Sequence, residues 1–72
     1  MEEIREFIEG LTELEYELVS IEKKDREPML IELENVMEEI EKMGVKEIED
    51  TYLEGIDFID KNNIMVGLYA VC

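Results

Sequence analysis

The first third of the chain carries a regular stripe of apolar residues. The spacings are three and four residues, as in an amphipathic helix, and the members are Ile4, Phe7, Leu11, Leu14, Leu18 and Ile21. Acidic residues precede the stripe and basic residues follow it, as the helix dipole favours. The alternation over 14–18 would fit a strand, but the longer pattern outweighs it. The sequence therefore predicts a helix from about residue 2 to residue 23.

A second stripe of the same periodicity follows a short polar link over 24–27. Its members are Met29, Leu33, Val36, Ile40 and Met43. Pro28 suits a first helical position, and Gly44 followed by Val45 suits a Schellman C-cap. We expect a helix over about 28–43. Because the link is short, the two predicted helices should pack as an antiparallel hairpin.

The last third combines a weaker helical pattern with an apolar segment. The pattern favours a third helix over about 46–60, and its members are Val45, Ile48, Tyr52, Ile56 and Ile59. Residues 64–72 fit either a short helix or a buried strand paired with 55–59 around the turn 60–63. We expect a single domain, 1–72, that is mainly α: an antiparallel helical hairpin, a third helix and a short apolar C-terminal segment. The alternative is an α+β fold with a C-terminal β-hairpin.

Charge changes this picture more than any other feature of the composition. The chain has 21 acidic and 7 basic residues, a net charge of −14. This balance argues against direct binding of nucleic acid or of a membrane surface. However, 46% of the residues are hydrophobic, which is too many for a disordered acidic tail. The chain has neither a basic signal peptide nor the roughly 20 apolar residues of a membrane helix. We therefore expect a folded cytoplasmic protein.

The residue types of common catalytic and metal sites are missing from the sequence. There is no histidine, and Cys72 is the single cysteine. Zinc sites of the Cys/His type and histidine-activated nucleophiles are therefore excluded. Segment 57–63 is rich in Asp and Asn but lacks the glycine and closing glutamate of a calcium loop. We expect no catalytic residue, no cofactor and no metal, and thus a protein that is not an enzyme.

Two features remain as candidate interaction surfaces. One is an acidic row along one face of the first predicted helix, formed by Glu2, Glu6, Glu9, Glu13 and Glu17. The other is the C-terminal apolar segment, formed by Ile64, Met65, Val66, Leu68, Tyr69 and Val71. Exposed in a monomer, this segment would create a patch that soluble proteins avoid. Because a second copy would cover the patch and enlarge a small core, we expect a homo-oligomer.

These features favour a non-enzymatic, acidic protein–protein interaction module. We expect it to self-associate through its helices and to bind a protein with a basic or apolar surface. The alternative function is mimicry of nucleic acid, in which the acidic row occupies the basic groove of a DNA- or RNA-binding protein. The simplest interpretation of the acidic row is nevertheless a solvated helix face opposite an apolar stripe.

Overall fold

A computed structural model describes residues 2–24 and 26–71 of the chain. The elements are α1 (Glu2–Glu13), β1 (Leu18–Lys23), β2 (Met29–Glu32), a 3-10 turn (Leu33–Asn35), α2 (Val36–Met43), β3 (Val45–Thr51), β4 (Gly55–Asp60) and β5 (Met65–Val71). All strand pairs are antiparallel, and they form one sheet in the order β2-β1-β5-β4-β3. The protein is therefore an α+β protein dominated by its sheet, and the expected mainly α fold with a helical hairpin is wrong.

The predicted helix over 2–23 is helical only in its first half. Glu15 has a positive φ of 64°, and the N–H of Tyr16 bonds to the carbonyl oxygen of Leu11 at 3.1 Å. This is the bond pattern of a Schellman stop, formed here without a glycine. Leu14 is 63% exposed, and the chain enters β1 at Leu18. The apolar stripe thus spans two different elements: its first part is the buried face of α1, and its last part belongs to strand β1.

The predicted helix over 28–43 is divided among a strand, a 3-10 turn and a helix. Residues Met29–Glu32 pair with β1, so Pro28 precedes a strand rather than a helix. The predicted end of the helix is confirmed, because α2 ends at Met43. The predicted Schellman cap is wrong: Gly44 has a φ of 76° but a ψ of 127°, and its N–H makes an ordinary helical bond to the carbonyl oxygen of Ile40. The residue after this stop, Val45, begins β3 directly.

The predicted helix over 46–60 is wrong, because this segment forms strands β3 and β4, and two irregularities in β3 account for the helical spacing of its first part. The register between β3 and β4 shifts between Val45 and Glu47 and again between Ile48 and Asp50. Each bulge adds one residue, so inward-facing positions recur every three residues instead of every two. In this way, a bulged strand reproduces the three-residue spacing of apolar positions that is typical of a helix.

The alternative prediction, an α+β fold with a C-terminal β-hairpin, agrees with the structure in fold class and in topology. β4 and β5 form an antiparallel hairpin in which Ile56 is opposite Leu68 and Phe58 is opposite Val66. β5 continues as the central strand of the sheet, because its other edge pairs with β1.

Both helices cover the same face of the sheet. Ile4 and Leu11 of α1 and Val36 and Ile40 of α2 belong to one buried cluster with inward-facing residues of the three central strands. The sheet contributes Val19, Ile21, Ile56, Phe58, Val66 and Leu68. No described helix covers the other face.

Candidate functional site

The sheet face that points away from the helices is the candidate functional site, and we call it the open face. Side chains alternate along each strand, so the neighbours of the buried residues point away from the core. With the observed register, the open face contains Leu18, Ser20, Glu22, Leu30, Glu32, Glu47, Asp50, Gly55, Asp57, Ile59, Met65, Gly67, Tyr69 and Val71.

Tyr69 lies flat against the middle of the open face because two glycines leave room for its ring. A Cβ atom on Gly55 would lie 2.5 Å from Cδ1 of Tyr69. A Cβ atom on Gly67 would lie 2.6 Å from Cε2 and from the phenolic oxygen. Glycine in a strand interior often marks such a close approach. The ring therefore covers the backbone of β4 and β5 and has a fixed position.

Asp57 joins two tyrosines on this face. The Tyr69 hydroxyl donates to Oδ1 of Asp57 at 2.6 Å, and the Tyr52 hydroxyl donates to Oδ2 at 2.7 Å. The two ring centroids are 6.5 Å apart. Tyr52 follows the last residue of β3 and thus extends the open face at that corner.

The Asp57 carboxylate determines the protonation of both phenols. Its hydrogen bond, together with burial and its negative charge, raises the pKa of Tyr69 to about 12. The separate hydrogen bond that Tyr52 donates to the same carboxylate is the main cause that raises the pKa of Tyr52. Both phenols therefore keep their protons at neutral pH. They act as hydrogen-bond donors on a rigid aromatic surface rather than as phenolate nucleophiles or bases.

Acidic and apolar side chains share the rest of the open face. Its carboxylates are Glu22, Glu32, Glu47, Asp50 and Asp57, and none of the residues that define the face is lysine or arginine. Leu18, Leu30 and Met65 lie among them with exposures of 36, 60 and 47%. The face therefore offers apolar contact and negative charge together.

The acidic row predicted from the sequence is located elsewhere. Glu2, Glu6, Glu9 and Glu13 are exposed on α1, on the side of the helix that faces away from the sheet. Glu17 is also exposed, but it lies beyond the end of α1, where its carbonyl oxygen accepts the N–H of Leu33. The structure therefore places four of the five glutamates on one helix and separates the fifth.

The predicted C-terminal apolar surface is divided between the two sides of β5. Val66 and Leu68 are fully buried beneath the helices. Met65, Tyr69 and Val71 are on the open face, whereas Ile64 is half-buried in the turn before the strand. Cys72, the last residue of that segment, lies outside the described residues.

Sequence reasoning missed the two partners of Tyr69, Tyr52 and Asp57, and the other acidic residues of the open face. The available signal was a pair of glycines in two segments in which apolar and other residues alternate. Gly55 lies two positions before Asp57, and Gly67 lies two positions before Tyr69. That signal has meaning only once both segments are assigned as strands.

The described part of the chain contains neither a group of metal ligands nor a helix of membrane-spanning length and hydropathy. Among residues 2–24 and 26–71, no three potential ligands are grouped around a possible ion position. The weak calcium-loop pattern is divided, because Asp57 binds the tyrosines and Asp60 binds Lys23 and its own turn. No described helix is both long and apolar enough to span a bilayer.

The fold and the site together define a small antiparallel α+β protein whose sheet is covered by helices on one face only. The chain matches no protein family model, and neither the curated proteins nor the solved structures contain a match to it.

Proposed function

We propose that this protein is a non-enzymatic interaction module that binds a partner protein through the open face. The observation that carries the proposal is the composition of that face. Exposed apolar side chains are surrounded by five carboxylates, and no residue that defines the face is basic. Such a surface complements a partner that carries arginine or lysine next to apolar residues.

Charge favours a different protein over a second copy as the occupant. Two open faces in contact would bring five carboxylates from each copy together. At physiological salt the Debye length is about 8 Å, so charges in contact across an interface are poorly screened. The C-terminal segment suggested a homo-oligomer, but its two largest aliphatic positions at the strand centre, Val66 and Leu68, are already buried within one chain.

The dimensions of the face suit a helix of the partner. Five strands about 4.8 Å apart, four of them six or seven residues long at about 3.4 Å per residue, give a surface roughly 20 Å across in each direction. A helix of about four turns spans that distance. Helices already pack on the opposite face of the same sheet. The proposed occupant is therefore an amphipathic helix with an apolar stripe flanked by basic residues.

The test uses a synthetic amphipathic peptide with a leucine stripe flanked by arginines, titrated into the protein by calorimetry and NMR. Glu22→Lys with Glu47→Lys changes the open face, and Glu6→Lys with Glu13→Lys makes the same charge change on the outer side of α1. We expect the open-face pair to weaken binding about tenfold or more, because contact charges act in addition to the overall field. The α1 pair should weaken it by only about threefold or less, through the long-range field alone.

The same titration distinguishes the alternatives. Equal weakening by the two pairs would contradict a specific open face. Loss with the α1 pair alone, together with competition by DNA for a basic partner, would instead support the nucleic-acid mimic built on the acidic row.

A further inference from the structure

A surface of the opposite charge lies at one end of the sheet, beside the last turn of α2. It is a cleft of about 220 Å³ between the end of β1, Arg26, the start of β2, the end of α2 and the β4–β5 turn. Four of the chain's seven basic residues line it, namely Lys23, Arg26, Lys42 and Lys61. Only two acidic residues do so, and the lining thus has a formal charge of +2 in a chain of −14.

One of the two acidic residues, Asp60, is fully occupied within the protein. Its Oδ1 accepts the backbone N–H groups of Asn62 at 2.8 Å and Ile64 at 3.0 Å, and its Oδ2 is 3.5 Å from the Lys23 ammonium. These contacts, the bond from Ile64 first among them, hold the pKa of Asp60 below its ordinary value despite burial. Asp60 is therefore a fixed anion that offsets Lys23 and orders the turn.

The remaining charges of the cleft do not balance. Glu39 pairs with Lys42 at 3.6 Å. Arg26 and Lys61 form no ion pair with any residue in 2–24 or 26–71, although the chain has 21 acidic residues. Two exposed cations thus reach one cleft from two separate elements, and no described carboxylate neutralises them.

We propose that this cleft binds a small phosphate-bearing anion, with Arg26 and Lys61 as its principal contacts. The planar guanidinium of an arginine binds phosphate through two parallel hydrogen bonds, and a lysine adds a mobile point charge. The cleft is smaller than the roughly 300–1,000 Å³ of pockets for drug-sized ligands. It therefore suits a phosphate group with a short organic substituent rather than a nucleotide. This site is independent of the open face.

The experiment is a calorimetric titration with inorganic phosphate, glycerol 3-phosphate and glycerol. Ionic strength is held constant with sodium chloride, because a chain of −14 responds to salt in general. Arg26→Gln with Lys61→Gln removes the proposed contacts. Arg5→Gln with Lys24→Gln removes the same charge from positions outside the cleft, and circular dichroism verifies that both variants fold.

We expect saturable binding of both phosphate compounds and none of glycerol. The cleft variant should bind about tenfold or more weakly, since a hydrogen bond to a charged group is lost at each position, whereas the control should stay within about threefold. Tighter binding of glycerol 3-phosphate would assign the rest of the cleft to the organic group, and equal binding would assign it to phosphate alone; both results support the site. Absence of saturable binding, or equal weakening in both variants, would overturn it.

Discussion

Glu15 adopts the left-handed conformation at the end of α1, with a φ of 64°. It does so although it has a Cβ atom, and the Schellman stop that it forms contains no glycine. That conformation costs an L-residue about 1–2 kcal/mol, and glycine avoids most of this cost. Glu15→Gly should therefore stabilise the protein by about 0.5–1 kcal/mol in urea unfolding, after allowance for the greater chain entropy of glycine. Glu15→Gln, which removes the charge but retains the Cβ atom, should change stability by less than about 0.5 kcal/mol. Destabilisation by Glu15→Gly would contradict the assigned helix stop.

Tyr69 should be the tyrosine that titrates near pH 12 when ionisation is followed by absorbance at 295 nm. Its folded pKa is raised from 10.0 to about 12, chiefly by the hydrogen bond to Asp57. The folded state thus holds the phenolic proton more tightly than the unfolded chain does. This contribution to stability is complete below pH 10 and is lost as the pH rises toward 12.

Two variants check that assignment. Tyr69→Phe should remove the highest-pH step of the titration, and Asp57→Asn should move that step to lower pH because the carboxylate acceptor is gone. If the highest step survives Tyr69→Phe, the phenol with the most strongly raised pKa is a different one.

Among the secondary-structure elements, the sequence predicts best where one local cause decides the structure. The end of α2 follows from Gly44 alone, and the β4–β5 hairpin was available as an alternative from the apolar run beside a polar turn. The failures come from elements whose register depends on distant partners. The bulges of β3 imitate helical spacing, and the helical stripe of α1 continues into β1 with no glycine between them.

The same reason limits prediction of the site. Acidic residues on α1 could be placed on one face by counting, because helical spacing is local. The open face could not, since Tyr69, Asp57 and Tyr52 come together only through the pairing of β3, β4 and β5. A surface made by strand register is invisible until the register is known.

Gly44→Ala and Gly10→Ala should change stability in opposite directions. Gly44 has a φ of 76°, and a Cβ atom there would lie 3.2 Å from Cβ of Lys61, so alanine should destabilise by about 1 kcal/mol or more. Gly10 lies within α1 with nothing within 4 Å of a Cβ position, so alanine should stabilise by about 1 kcal/mol. Thermal or urea unfolding of both variants measures the difference. Two changes of the same sign would be inconsistent with the described helix boundaries.

For the whole molecule, deletion of residues 65–72 should abolish folding. This removes β5, which pairs with β1 along one edge and with β4 along the other and supplies Val66 and Leu68 to the core. Circular dichroism should show an unfolded chain. Met65→Ser, a change at an exposed position of the same strand, should leave the fold intact. A deletion variant that remains folded would mean that β5 is not the central strand.

Salt should stabilise the protein because its charges are so unequal. A net charge of −14 on 72 residues opposes the compact state through self-repulsion. Raising sodium chloride from about 20 to about 500 mM shortens the Debye length to under roughly 5 Å and should raise the unfolding midpoint. Sedimentation at both concentrations tests self-association in the same samples. We expect a monomer at the lower concentration, and a dimer there would contradict the proposed preference for a different partner.

The pairing of β1 with β5 has a consequence for the order in which the chain folds. Its partners are 43 residues apart at Lys23 and Val66 and 53 apart at Leu18 and Val71, whereas the other strand pairs join consecutive strands. Contacts between distant segments form late, because the intervening loop must close before they contribute. We expect the β1–β2 hairpin and the β3–β4–β5 meander to form early and their docking to limit the refolding rate. Substitutions at the β1–β5 seam should therefore slow refolding more than substitutions of similar cost within either half.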